Sequence, residues 1–366
     1  MYPAANVQQS AKDPTQMAAN TKRVFYVRYV SHTSFNDTLA TQPDIRLDKL
    51  ENESPDAEAA PILEAAHAFQ IGASRDELAP HFFAHEDFLK RCPNLLVVSS
   101  NGAGYDTIDV DACTAAGVLA VNQAGGNAEA VATHALALLL SLTKRIGEID
   151  RAMRRELVFD RAAYIGRNPL NKTIGIIGMG HVGTRLAELV RAMYKMRVLA
   201  YDPYLTAEQI KARGGEKTDL DTICAQSDYV SINCPRTKET LGMVGAAQFA
   251  AMKPTAYFIS TARGGIHDET ALTEALRAGK LAGAGLDVWA KEPPPLDHPL
   301  LAMDNVIASQ HTAGVTRESR ENMGRIAAQQ IIEILAGKPA NRVLNPEVWP
   351  AFAQRFEEIF GFAPQK

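Results

Sequence analysis

The sequence predicts an α/β protein built from two Rossmann-like or flavodoxin-like domains, each a doubly wound parallel sheet, with a cleft between them. Two observations predict this class. The chain has 366 residues, which is more than one hydrophobic core usually supports. From Arg23 onward, short β-branched or aromatic runs alternate with amphipathic segments of helical length, and this is the pattern of β-α units in a parallel sheet.

The first domain is expected over residues 23–124, completed by residues 317–366. Residues 1–22 are polar and lack the apolar run of a signal peptide, so we interpret them as a disordered extension. Residues 346–366 predict one further amphipathic helix. The strands expected in this domain are Val24–Val30, Ile45–Leu47, Phe69–Ile71, Leu95–Ser99 and Val118–Val121.

The second domain is expected over residues 125–316. It begins with a long, apolar helix, Asn127–Ile146, and a basic, irregular stretch, Arg151–Asn171, follows. The helix Arg317–Leu335 comes after the last strand, and Gly337 and Pro339 stop it. The six strands expected in between are Thr173–Ile177, Val198–Tyr201, Tyr229–Asn233, Tyr257–Ser260, Ala284–Val288 and Val306–Ser309.

Composition excludes several classes of partner. The chain carries 38 Lys and Arg against 42 Asp and Glu, a formal net charge of −4, so it has no basic field for nucleic acid or an anionic membrane. Its four cysteines have neither metal-site spacing nor the density of a disulfide framework. The longest apolar stretch, Ala135–Leu142, is too short to cross a bilayer. We expect a cytoplasmic protein with no metal, nucleic-acid partner or membrane partner.

A glycine-rich turn follows the first strand of the second domain. It reads Gly178-Met179-Gly180-His181-Val182-Gly183, and an amphipathic helix comes next. Gly178 would permit the tight turn, Gly180 would let the backbone approach a pyrophosphate, and Gly183 would let helix and strand pack closely. The phosphates would lie at the helix N-terminus, where we expect His181 to contribute a backbone amide and a surface ring.

Asp202 decides which dinucleotide this turn would bind. It ends the next strand, about 20 residues after the third glycine, where a carboxylate meets the ribose hydroxyls of the adenosine. Its charge would accept hydrogen bonds from a free 2′-hydroxyl and repel the 2′-phosphate of NADP. We therefore expect NAD (NADH when reduced) and not NADP. The alternatives are packing glycines in a flavin or non-nucleotide domain, and a plain turn residue at Asp202.

Three reactive side chains follow three strands of the second domain: Arg263, Glu292 and His311. In open parallel sheets, ligands bind outside the carboxyl ends of the strands. Reduction of a 2-keto acid needs a cation for the carboxylate, a proton donor for the developing alkoxide and a hydride on the opposite face. We expect Arg263 to be the cation, His311 the acid and base, and Glu292 the group that orients His311. Taken singly, each residue has a simpler structural explanation.

The first domain offers one loop for substrate. Asn101, Gly102 and Ala103 follow a strand, and exposed amides there could bind a carboxylate. An ordinary glycine turn is the alternative.

With these residues assembled, the sequence resembles the D-isomer-specific 2-hydroxyacid dehydrogenase family, which includes phosphoglycerate dehydrogenases and glyoxylate/hydroxypyruvate reductases. The resemblance extends from Arg23 to about Leu344. The segments that carry it are Asn101–Asp109, Gly126-Asn127-Ala128, Gly178–Gly183, Tyr201-Asp202-Pro203, Ala262-Arg263-Gly264, Leu286-Asp287-Val288, Glu292-Pro293 and the His311 loop.

The resemblance implies hydride transfer between nicotinamide and a small 2-keto or D-2-hydroxy acid. Arg263, Glu292 and His311 match the family's catalytic set, and the amides of Gly102 and Ala103 would contact the substrate carboxylate. It also implies a homodimer formed through the NAD domains. Asp287 would meet the nicotinamide amide. The other expected cofactor contacts are Val182, Cys234, Pro235, Arg236, Thr261, Ala262 and Ala313.

Several positions depart from the family pattern. Thr133 stands where a glutamate is common, and Gln310 stands where a proline commonly precedes the histidine. The phosphoglycerate dehydrogenase branch carries an arginine after its third strand for substrate phosphate, whereas Arg75 is shifted here. We therefore expect an unphosphorylated substrate, and no added regulatory domain. Glu292 separates the chain from formate dehydrogenases, which pair their histidine with glutamine.

Two other functions use the same fold. A nucleotide-sensing, corepressor-like protein would keep the catalytic set and act through partners, and turnover with any keto acid would exclude it. A dehydrogenase of another small anion, such as phosphite, would be separated by a substrate panel. The sequence leaves open which 2-hydroxy acid is used and in which direction the reaction runs.

Overall fold

The structure is a computed structural model that describes residues 21–157 and 160–366. Residues 1–20 of the extension expected over residues 1–22 lie outside the described residues. The chain divides into two compact units, the first comprising the chain up to Gly126 together with Arg320–Lys366, and the second comprising Asn127–Ser319. Among the described residues, no helix is both long and apolar enough to cross a membrane.

The first unit contains a five-stranded sheet in the order β2-β1-β3-β4-β5, and all its pairs are parallel. This is the flavodoxin-like order of a doubly wound sheet. Its strands are β1 (Lys22–Val27), β2 (Ile45–Leu50), β3 (Ala68–Ile71), β4 (Val97–Ser100) and β5 (Leu119–Val121). Its helices before Gly126 are α1 (Ser34–Leu39), α2 (Asp56–Ala65), α3 (Glu86–Lys90) and α4 (Val110–Ala115).

The second unit contains a seven-stranded parallel sheet in the order β12-β11-β10-β9-β6-β7-β8. Its strands are β6 (Thr173–Ile177), β7 (Arg197–Tyr201), β8 (Glu216–Lys217), β9 (Tyr229–Ile232), β10 (Tyr257–Ser260), β11 (Gly283–Leu286) and β12 (Val306–Ala308). Its helices are α5 (Ala128–Thr143), α6 (Ile146–Arg155), α7 (His181–Tyr194), α8 (Ala207–Ala212), α9 (Leu220–Gln226), α10 (Ala246–Ala251) and α11 (Glu269–Arg277).

The strand order of the second unit reverses between β6 and β9, which are neighbours in the sheet but not in the chain. Ligands of open α/β sheets bind at such a switch point, outside the carboxyl ends of the strands. The long helix α5 packs against α7 and against β10 and β11. The predicted fold class is confirmed for both parallel sheets.

The C-terminal helices complete the first unit. The chain continues through α12 (Arg317–Leu335) and ends in α13 (Trp349–Phe360). Phe352 and Phe356 of α13 lie in one apolar cluster with residues of β1, β4 and α12. Full burial of one such side chain stabilises a fold by about 1.5–3 kcal/mol. The helix predicted near the C-terminus therefore covers one face of the first sheet.

Apart from shifts at the ends of elements, such as the long helix ending at Thr143 and not at Ile146, the structure differs from the predicted elements at two places in the second unit. It contains a seventh strand, β8, whose two residues are both exposed, so no apolar alternation marks it in the sequence. The stretch predicted to be irregular begins inside α6, a helix with no buried residue. Its charged residues were interpreted as an irregular stretch, although its apolar residues recur with a helical period.

His267 provides a pH-dependent contribution to stability. The side chain is 1% exposed, and within the described residues neither ring nitrogen has a hydrogen-bond partner. Burial lowers the pKa of His267 from 6.5 to about 4. Because the fold favours the neutral ring, the stability is fully present above about pH 6.5 and falls as the pH drops toward 4.

We expect His267→Leu to reduce the acid sensitivity of the fold. Wild type should lose about 2 kcal/mol at this site between pH 7 and pH 5, whereas the leucine variant should not. Thermal unfolding at the two pH values measures the difference. His81→Leu, at an exposed position, is the control and should behave as wild type. Equal pH dependence of wild type and His267→Leu would contradict the assignment.

Candidate active site

The glycine turn leaves room for a ligand at one position. Gly178 has a φ of +92°, and a Cβ there would lie 2.7 Å from the Cys234 amide nitrogen. A Cβ at Gly183 would lie 2.1 Å from the Gly178 carbonyl oxygen, whereas a Cβ at Gly180 would meet nothing within 4 Å. The first and third glycines are therefore required by close packing. The second faces open space, as it must if a pyrophosphate is to approach the backbone.

The start of α7 carries unpaired donors. Within the described part of the chain, the N–H groups of His181, Val182 and Gly183 have no acceptor, as expected for the first turn of a helix. They present the positive end of the helix dipole to an anion. The His181 side chain is exposed, in agreement with its expected contribution through the backbone.

Asp202 lies beside this turn. One carboxylate oxygen accepts from the Met179 amide at 3.0 Å, and the other accepts from the Tyr204 amide at 3.1 Å. The carboxylate therefore connects the end of β7 to the glycine turn. The glycine turn, its unpaired amides and this carboxylate fit a bound dinucleotide.

The residues after β9 line the other side of the switch point. Cys234 abuts Gly178, and burial raises the pKa of its thiol to about 11, so the thiol stays protonated at neutral pH. Pro235 is exposed, and its carbonyl accepts from the Thr240 hydroxyl at 2.8 Å. The Arg236 guanidinium lies 3.5 Å from the Gly264 carbonyl oxygen.

Three loops at the carboxyl ends of β10, β11 and β12 bring Arg263, Glu292 and His311 together. The His311 Nδ1 lies 2.7 Å from the Glu292 Oε2. The other ring nitrogen, Nε2, lies 3.4 Å from the Arg263 Nη1. The Arg263 Nη1 also donates to the Ala262 carbonyl at 2.7 Å. The imidazole therefore stands between a carboxylate and a guanidinium.

The Glu292 carboxylate is held in its ionised form. Burial works to raise the pKa of Glu292, but the hydrogen bond and charge of His311, together with the Trp289 amide and Arg263, lower it below its usual value. The Trp289 amide donates to the Glu292 Oε1 at 3.0 Å. One oxygen is thus fixed by the backbone, and the other is directed at the imidazole.

Asp287 is fully buried and binds the loop that carries His311. The Thr312 amide donates to its Oδ1, and the Ala313 amide donates to its Oδ2, each at 2.9 Å. The resemblance implied that Asp287 meets the nicotinamide amide and that Ala313 contacts the cofactor. In this structure the Ala313 amide and the Asp287 Oδ2 are hydrogen-bonded to each other, and the Asp287 Oδ1 is bonded to the Thr312 amide. Thr261, the last expected cofactor contact, is buried.

Sequence reasoning missed four polar side chains around this site. His134 contacts Ser309, the first residue of the His311 loop, with the His134 Nε2 3.0 Å from the Ser309 Oγ. Glu269 accepts from the Ala290 amide at 2.6 Å and pairs with the His298 Nε2 at 3.2 Å. Ser309 follows β12 directly and could have been found by inspecting strand ends. His134 lies inside a helix, where no spacing rule indicates it.

In the first unit, the loop after β4 has, within the described part of the chain, one of the two expected amide donors unpaired, that of Ala103, and not that of Gly102. Gly102 has a φ of +134°, and its amide donates to the Gln123 side chain at 2.6 Å. The Asn101 Oδ1 accepts from the Ser31 amide at 3.1 Å. Of the described residues, none accepts from the N–H of Ala103 or Gly104. The expected Gly102 donor is therefore occupied, and the unpaired donors are one and two residues further on.

A glycine turn shaped for a dinucleotide and a histidine–carboxylate pair beside an arginine lie at one edge of one parallel sheet. This combination defines a nucleotide-binding α/β protein with an acid–base site.

The comparisons identify the family. Residues 136–313 match the family model of the D-isomer specific 2-hydroxyacid dehydrogenase, NAD binding domain. The chain belongs to the D-isomer specific 2-hydroxyacid dehydrogenase family, and the resemblance inferred from the sequence is confirmed.

Three relatives indicate the range of this family. The glyoxylate/hydroxypyruvate reductase B of Pectobacterium carotovorum is 38% identical over 265 residues, which are 72% of this chain and 83% of the relative. The D-3-phosphoglycerate dehydrogenase of Archaeoglobus fulgidus is 41% identical over 295 residues, 77% of this chain and 56% of the relative. The crystal structure of D-lactate dehydrogenase from Aquifex aeolicus, complexed with NAD and lactic acid, superposes with a TM-score of 0.73 at 27% identity, covering 86% of this chain and 96% of that one. The chain spans about half the length of the D-3-phosphoglycerate dehydrogenases it matches.

Proposed function

We propose that the chain is an NAD-dependent dehydrogenase that interconverts small D-2-hydroxy acids and 2-keto acids. The observation that carries the proposal is the His311 ring, 2.7 Å from the Glu292 carboxylate and 3.4 Å from the Arg263 guanidinium. This is the set of groups that carbonyl reduction needs. Family membership and the NAD-binding domain model support the same reaction.

Arg263 and His311 divide the work on the carbonyl. Because Glu292 occupies Nδ1, proton transfer falls to Nε2, which lies on the same side as the Arg263 guanidinium. A carbonyl oxygen there would be polarised by Arg263 and receive its proton from His311. Bound NADH supplies the hydride. In oxidation, His311 takes the hydroxyl proton, and the ionised Glu292 stabilises the resulting imidazolium.

The second unit, expected as residues 125–316, is proposed as the NAD domain, and the first as the substrate domain. In the first unit, the loop of Asn101, Gly102 and Ala103 would hold the substrate carboxylate. The unpaired amides of Ala103 and Gly104 support this role, because successive free N–H groups form an anion-binding concavity.

The substrate is proposed to be unphosphorylated. The Arg75 Nε donates to the Asp106 carbonyl at 3.3 Å. This arginine is therefore engaged with the backbone of the loop after β4. The Glu77 carboxylate accepts from the Ser74 amide at 3.3 Å. A carboxylate at this turn would repel a phosphate dianion.

Asp202 is proposed to select NAD over NADP. We expect Asp202→Ala to raise the KM for NADH about 10- to 100-fold, the effect of losing hydrogen bonds to a charged group, and to raise the NADPH-to-NADH ratio of kcat/KM. Asp202→Asn is the matched variant, because it removes the charge but can still accept from the Met179 amide. An unchanged cofactor ratio in both variants would show that Asp202 is not the selecting group.

A homodimer through the NAD domains is proposed from the surface around α6. Five large apolar side chains of α6 and of the segment after it are more than half exposed. The helix α6 is amphipathic and has no buried residue. Large apolar side chains exposed along one segment indicate an association surface. These side chains are Ile146, Met153, Leu157, Ile165 and Leu170.

A panel of keto acids tests the proposed reaction. NADH oxidation, with NADPH in parallel, is followed with glyoxylate, hydroxypyruvate, pyruvate, phenylpyruvate, branched 2-keto acids and a phosphorylated 2-keto acid. Saturable NADH oxidation with an unphosphorylated acid supports the proposal. Tight NADH binding with no turnover would contradict it and would favour a nucleotide-sensing protein or another small anion as substrate.

A further inference from the structure

A polar network behind the His311 loop lies outside the acid–base chemistry proposed above. Its centre is the Asp287 carboxylate, which is fully buried and accepts hydrogen bonds from the Thr312 and Ala313 amides. The third donor is the Ser309 hydroxyl, whose Oγ lies 2.6 Å from the Asp287 Oδ1. Three donors from one five-residue loop thus converge on a single buried carboxylate.

The Ser309 hydroxyl also contacts His134 of α5, whose Nε2 lies 3.0 Å from the Ser309 Oγ. A hydroxyl can donate only one hydrogen bond, and Ser309 donates its hydrogen bond to Asp287. The Ser309 oxygen must therefore accept the hydrogen bond from His134, so the His134 ring carries its hydrogen on Nε2. The same nitrogen lies 3.8 Å from the Asp287 Oδ1. His134 therefore donates a hydrogen bond to the serine and lies close to the carboxylate.

The position of the His311 ring depends on this network. The His311 amide donates to the Asp287 carbonyl at 2.7 Å. His311 also has a φ of +49°, a conformation that non-glycine residues adopt uncommonly, so surrounding contacts must hold it. Displacing a catalytic group by about 1 Å can cost about 10²-fold in rate. Loosening Ser309 would move the ring relative to Glu292 and Arg263.

We propose that His134 is a positioning residue for His311, acting through Ser309 and Asp287. The inference rests on the proposed function for its kinetic consequences. Its structural consequence does not depend on any substrate: the hydrogen bond from the His134 N–H to Ser309 holds the His311 loop in place.

Two variants at His134 separate the hydrogen bond from the space that the ring fills. His134→Gln places an amide donor near the position of Nε2, whereas His134→Phe keeps a ring and removes the donor. We expect His134→Phe to lower kcat about tenfold, the value of about one hydrogen bond, with the KM for NADH within about twofold of wild type. His134→Gln should stay within about threefold of wild type. Thr133→Val, at an exposed position on the same helix, should match wild type.

Hydrogen exchange tests the same inference without turnover. The Thr312 and Ala313 amides should exchange faster in His134→Phe than in wild type, and His134→Gln should restore their protection. Absence of turnover in wild type would contradict the proposed function, and this exchange measurement would still decide the role of His134. Unchanged exchange in the phenylalanine variant, or equal losses of protection with glutamine and phenylalanine, would overturn the inference.

Ser309→Ala provides a second route if His134→Phe does not fold. It breaks the same connection from the other side and should also lower kcat about tenfold. Because the two residues act through one path, His134→Gln should change kcat little once Ser309 is alanine, and His134→Phe should add no further loss. Additive losses in the double variant would overturn the inference.

Discussion

We expect His311→Gln to lower kcat by about 10²- to 10⁴-fold, the usual contribution of a positioned general acid–base group. Glutamine is similar in size but cannot exchange a proton, and it leaves the half-buried Glu292 without its imidazole partner. The KM for NADH should remain close to that of wild type, since the glycine turn and Asp202 are unchanged. Steady-state kinetics with the best substrate of the panel measure both parameters.

His85→Gln is the matched control, because His85 is an exposed histidine of the first unit. It should retain wild-type kcat. Wild-type turnover by the His311 variant would remove this residue from the mechanism.

We expect Arg263→Ala to lower kcat/KM by a factor corresponding to about 2–5 kcal/mol, the usual range for truncating one partner of a charged hydrogen-bonded pair. The KM for the keto acid should rise and kcat should fall, because Arg263 would bind the substrate carboxylate and polarise its carbonyl. Arg263→Lys should recover only part of the loss, since an ammonium cannot make the bidentate contact of a guanidinium.

Arg277→Ala, at an exposed position on α11, controls for the loss of a positive charge in the second unit. The dissociation constant for NADH should be the same in all three arginine variants and in wild type. A loss confined to NADH binding in Arg263→Ala would assign Arg263 to the cofactor and not to the substrate.

The fold could be predicted wherever the strands are buried on both faces. Strands β6 and β10 begin and end where the sequence predicts, because their apolar runs are bounded by turn residues. Strand β8 could not be predicted, since two exposed residues at a sheet edge have no pattern. The helix α6 was missed because its many charged residues were interpreted as an irregular stretch, although Ile146, Ile149 and Met153 recur at helical spacing.

The candidate site was predictable in its residues but not in all its contacts. The rule that ligands bind at strand ends was enough to select Arg263, Glu292 and His311, which are adjacent in the structure. The pairing of the Gly102 amide with Gln123 could not be predicted, because it joins residues 21 positions apart in two irregular segments. The contact between His134 and Ser309 spans 175 positions, and only the folded sheet brings them together.

The proposed reaction is hydride transfer to the 2-carbon of a keto acid with D stereochemistry. The most direct test is chiral analysis of the product formed from NADH carrying deuterium at the transferring position of the nicotinamide, with the best keto acid of the panel. We expect the D-2-hydroxy acid with deuterium at C2. An L product, or a D product without deuterium at C2, would contradict it.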